Sequence, residues 1–95
     1  MNELNIIMKK FLIQIQHLNA ILNDTEHYIE YCLKNDDKLI EILDLLQYIN
    51  AKTEITLLCI EEIKLNKANG YLEKIYKENE LAIKDFKKNF HSIVD

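Results

Sequence analysis

The groups that could do chemistry are few and scattered. Histidine occurs at His17, His27 and His91. A di-metal site inside a helical bundle uses Glu-x-x-His on each of two helices and a Glu from each of two more. No Glu-x-x-His occurs here; the nearest spacing is Asp24-x-x-His27, with Glu30 three residues on. Cys32 and Cys59 form no CxxC pair, so neither a zinc module nor a disulfide framework is expected. Both read as thiols of a reducing, cytoplasmic setting. Ser92 is the lone serine and Gly70 the lone glycine, which leaves no nucleophile framework and no phosphate loop. Asp36/Asp37 and Glu61/Glu62 are neighbours in sequence. Adjacent helical residues point about 100° apart, so these carboxylates do not converge on one substrate. The expectation is a non-enzyme with no catalytic residue, no cofactor, no metal and no small-molecule substrate.

Charge narrows the partners. The chain has 95 residues, with 16 acidic and 12 basic side chains and a net charge of −4. Every basic residue is Lys. Without Arg, bidentate grip on phosphate or guanine is missing, so nucleic acid is not an expected ligand. Lys84, Lys87 and Lys88 cluster near the C-terminal end, balanced by Asp85, and suit a solvated helix end. The longest apolar run is Leu57-Leu58-Cys59-Ile60, far too short to span a membrane. The stretch from Met8 to Leu22 imitates a signal peptide, but Gln14, Gln16 and His17 interrupt it.

The elements that would carry these residues are helices. Proline is absent and one Gly is present, which disfavours the many tight turns of a sandwich or barrel. Leu4, Met8, Phe11, Ile15, Leu18 and Leu22 alternate steps of four and three, and the rhythm continues through Thr25, Ile29 and Cys32. Leu72, Tyr76, Asn79, Ile83, Phe86, Phe90 and Ile93 repeat it. Such spacing lays one apolar stripe along one side of a helix. The middle is less regular: Leu39, Ile42, Leu43, Leu46, Ile49, Leu57, Ile60 and Ile63. Asn35-Asp36-Asp37 reads as a stop followed by a cap from Asp36, and Asn69-Gly70 as a second stop. The reading is an all-α, antiparallel three-helix bundle, one domain over residues 1–95, with helices at 3–34, 37–68 and 71–92. The first two would each be roughly 48 Å long. Asn23-Asp24-Thr25-Glu26 resembles a capping box, and Asn50 to Thr53 is a second soft spot. Breaks there would give a four- or five-helix bundle instead.

Surface recognition is the remaining tool. Ile6, Ile13 and Ala20 recur every seven positions, off the main stripe of the first helix. They either feed a second internal neighbour or face a partner. Tyr28 and Tyr31 are candidate partner contacts, because a Tyr ring buries while its hydroxyl stays hydrogen-bonded. Asn79 interrupts the last stripe. It is either exposed beside a seam formed by Leu72, Ile75 and Ala82, or buried where it fixes register or pairing.

Leu33-Lys34-Asn35-Asp36-Asp37-Lys38-Leu39, followed by Ile42, Leu43 and Leu46, resembles the hairpin of FlgN- and FliT-type flagellar export chaperones. The likeness covers residues 28–50, and the Arg often found in the second helix of that hairpin is missing. It implies a small helical chaperone and assigns no binding residue. The expected function is a cytoplasmic protein–protein interaction module: an adaptor, chaperone or inhibitor that presents a helix face to another protein. The alternatives are a self-associating regulatory bundle, an export chaperone, and a phage- or plasmid-encoded inhibitor or immunity protein.

Overall fold

The computed structural model describes residues 3–67 and 70–94. It is an all-α three-helix bundle, elongated at 49 × 19 × 18 Å. Helix α1 spans Glu3–His27 and widens into a π-helical turn over Tyr28–Cys32. A single 3₁₀ turn, Asp36–Lys38, leads into α2, Leu39–Lys64. Helix α3 runs Tyr71–Val94.

The stops have specific causes. In the π turn, the Leu33 N–H reaches back five residues to the Tyr28 carbonyl (2.8 Å), and Leu33 is then extended. The wider turn alters the phase of the stripe, so Cys32 is exposed rather than continuing the line through Thr25. The cap that follows is Asn35, not Asp36: the Asn35 Oδ1 accepts from the Asp37 N–H at 3.0 Å. Asp36 and Asp37 occupy the first turn, where the helix start favours negative charge. Helix α2 ends at 64, short of the expected 68. Asn66 takes φ 58°, its N–H bonds the Ile63 carbonyl, and the Lys67 N–H bonds that of Glu62. That pair of bonds is a Schellman stop, with Asn as the left-handed residue. The stop expected at Asn69, and position 68, lie outside the described residues.

Neither soft spot breaks a helix. Helix α1 is continuous through Asn23–Glu26, and Thr25 is buried. Helix α2 is continuous through Asn50–Thr53. The Thr53 hydroxyl donates to the Ile49 carbonyl and that of Thr56 to the Lys52 carbonyl, at 2.9 and 2.8 Å. Such back-bonding lets a hydroxyl face the interior without orphaning a donor.

The core has two apolar clusters. One joins Ile7, Phe11, Cys59, Ile60, Ile63 and Leu72, with the Tyr76 ring edge-on to Phe11 at 5.9 Å. The other joins Leu18, Ile49, Ile83 and Phe86, flanked by Phe90. The stripe of α3 is that expected from spacing; in α1, Ile7 and Gln14 join the expected line in the interior and Cys32 leaves it. In α2, Leu43 and Leu57 lie outside the core, while Thr53, Thr56 and Cys59 take interior places.

Phe11 is wholly buried. Phe11→Ala should cost about 3–5 kcal/mol of unfolding free energy, from lost transfer energy and the cavity left behind. That is a large share of the roughly 5–14 kcal/mol available to a chain of this size. Leu58→Ala, on the surface, should change little. Urea unfolding followed by circular dichroism measures both.

Candidate interaction surfaces and the buried polar layer

One polar side chain from each helix meets between the two apolar clusters. The Asn79 amide donates to Gln14 Oε1 at 2.9 Å and to Thr56 Oγ1 at 2.8 Å. The Gln14 amide donates in turn to the Tyr76 carbonyl and to Glu80 Oε1, both at 3.0 Å. Gln14, Thr56 and Asn79 are each no more than 1% exposed. Asn79 therefore lies inside the bundle rather than beside a seam. No buried side-chain polar atom among the described residues lacks a partner. Burial and the nearby Glu80 carboxylate push the Tyr76 phenol above its ordinary value, against a smaller opposing effect from Lys10.

The layer is sealed, so it cannot bind an outside ligand. Gln14 and Thr56 were readable in outline: Ile7-Gln14-Ile21 and Ile49-Thr56-Ile63 each place one polar residue in a seven-residue apolar repeat. Asn79 does the same between Leu72 and Phe86.

The three histidines do not come together. His27 lies against Tyr31, with ring centroids 4.6 Å apart. His91 sits at the other side of the chain order, beside Asp24, Lys87 and Phe90 around a cleft of about 190 Å³. No group of three or more His, Cys, Asp or Glu among the described residues is placed to hold a metal ion. Cys32 is exposed and Cys59 is buried. Burial, and then Glu62, push the Cys59 thiol up. No described helix is long and apolar enough to cross a membrane.

The expected partner residues fall into two groups. Ile6 and Ile13 are 47% and 55% exposed, and Ala20 is exposed too. Among the described residues, none covers this side of α1. Tyr31 is exposed, whereas Tyr28 is half-buried, edge-on to Phe90 at 5.3 Å. Tyr28 and Tyr31 therefore do not form one open aromatic pair. Compared with family models, curated proteins and solved structures, the chain matches none.

Asn79→Leu should destabilise by about 1–3 kcal/mol, because it strands Gln14 Oε1 in the interior. Gln14→Leu/Thr56→Val/Asn79→Leu together should recover most of that loss, since an apolar layer leaves nothing unpaired. Denaturant titration of both variants tests this. For the cysteines, a thiol reagent should label Cys32 rapidly in the native protein and Cys59 only after unfolding. Mass-resolved labelling distinguishes the two sites.

Proposed function

We propose that this chain works without catalysis, as a helical recognition module that presents the outer side of α1 to another protein. The observation that carries the reading is the Ile6–Ile13–Ala20 line. These side chains repeat every seven residues, point away from the bundle and stay uncovered. An amphipathic partner helix lying along α1 would bury them in the usual helix-on-helix manner. Tyr31 extends the surface beyond the end of α1 with a ring that tolerates both burial and water.

The scattered histidines and separated cysteines support recognition over chemistry. Adaptor, export chaperone and inhibitor are forms of this one activity, differing in the protein held. A cytoplasmic setting suits two free thiols.

Affinity capture from the native host with the tagged full-length chain tests the proposal. The wild type should retain a partner in fixed stoichiometry. Ile13→Lys should lose it while helicity stays unchanged, because a buried cation would be left unpaired. Equal retention by wild type and Ile13→Lys would show that this side of α1 is not the contact.

A further inference from the structure

The cleft between α1 and α3 has an aromatic wall and polar groups that the fold leaves open. It encloses about 190 Å³. Ile21 of α1 and Phe86 and Phe90 of α3 supply its apolar lining. The Phe86 and Phe90 rings stack with centroids 5.8 Å apart. Tyr28, the first residue of the π turn, meets Phe90 edge-on at 5.3 Å. Two aromatic rings thus hold Phe90 in place. The bond from Asn79 to Gln14 fixes the height of α3 against α1, so the two walls keep their relative position.

Three polar side chains of the cleft bond nothing else among the described residues. Thr53 and Thr56 turn their hydroxyls onto carbonyls one helical turn back, but Thr25, only 3% exposed, makes no such bond. Fully buried polar atoms among the described residues all have partners, so the Thr25 hydroxyl must reach the open space of the cleft it lines. Asp24 of α1 and Lys87 of α3 line the same cleft, and no ion pair joins them. Farther along the same two helices, Lys10 and Glu73 do close on each other, at 3.1 Å. The cleft therefore presents one carboxylate, one ammonium and one hydroxyl around an aromatic wall.

We propose that this cleft binds a free aromatic α-amino acid. An apolar cavity of about 150 Å³ holds a benzene ring, so this one has room for a single phenyl or phenol ring. The ring packs against Ile21, Phe86 and Phe90, where aromatic pairs gain more than their buried area alone. The α-ammonium donates to the Asp24 carboxylate. The α-carboxylate accepts from the Lys87 ammonium and from the Thr25 hydroxyl. Charge selects among aromatic ligands. A lone amine would meet Lys87, and a lone acid Asp24, each with a like charge. A peptide terminus carries only one of the two charges beside its side chain; the free amino acid carries both on one carbon. The ligand is held and not transformed. Ile6, Ile13 and Ala20 do not line the cleft, so this inference stands apart from the recognition reading.

Heteronuclear NMR titration of the full chain with L-phenylalanine tests the inference. Saturable shifts should gather at Ile21, Thr25 and Phe90, with a dissociation constant of about a millimolar. N-acetyl-L-phenylalanine and L-phenylalanine amide each lack one charge and mimic the two peptide termini. Both should bind at least about fivefold more weakly than the free amino acid. Thr25→Val, which removes the hydroxyl, should weaken L-phenylalanine by about threefold. Asp24→Asn should weaken it by about fivefold and abolish its advantage over the N-acetyl compound. Should Asp24→Asn lose helicity, Lys87→Gln on the opposite wall should instead abolish the advantage over the amide. Shifts that fail to saturate by about 20 mM overturn the inference. Equal binding of the three compounds does so too, since it marks an apolar crevice that ignores the head group. Wild-type affinity and preference in all three variants would have the same consequence.

Discussion

The buried triad of Gln14, Thr56 and Asn79 is the constraint on which the arrangement rests. Apolar layers of Ile and Leu attract one another without direction. Such helices can slide by a heptad and still pair grease with grease. A polar layer is different, because any slip leaves amides and a hydroxyl in the interior without partners. Here Asn79 bonds a residue of α1 and a residue of α2 at once, so one side chain ties all three helices to a single level. Gln14 extends the tie to the backbone of α3 at Tyr76 and to the Glu80 carboxylate. The cost is some stability, since a satisfied polar layer rarely outdoes an apolar one. The return is a defined register, which a surface built from two helices requires.

That register decides what the outside looks like. Slipping α2 by one heptad would part Thr56 from Asn79 and bring it against apolar side chains. Interior polarity and surface pattern are therefore coupled through helix position. The Ile6–Ile13–Ala20 line lies on the single continuous helix α1, which sets its spacing.

Much of the fold was legible in the sequence, because two amphipathic stripes, an apolar middle and the polar stop at Asn35–Asp37 point to three helices. The stripe of α1 held from Leu4 to Thr25 but left out Ile7 and Gln14, which are buried, while that of α3 read almost residue for residue. Helix α2 did not, since its apolar residues lie on every side and periodicity cannot choose among them; Thr53, Thr56 and Cys59 entered the core in place of Leu43 and Leu57. The soft spot at Asn50–Thr53 failed to break because Thr hydroxyls bond backward along the helix, which spacing alone does not reveal. Helix α2 is stopped by Asn66, whose left-handed backbone spacing alone does not single out. Cys32 left the stripe because a π turn alters helical phase. Asn79 was visible as an anomaly, but its partners were not: Gln14 and Thr56 looked like interruptions until the helices were set side by side.

The most direct test of the central claim is the side-chain amide spectrum of the native protein. Held as described, the Asn79 and Gln14 amide protons should give resolved resonances, exchange slowly with solvent, and show cross-relaxation from the Asn79 amide to the Thr56 methyl. Amide signals that average with those of exposed Asn and Gln, and exchange as fast, would contradict a sealed polar layer.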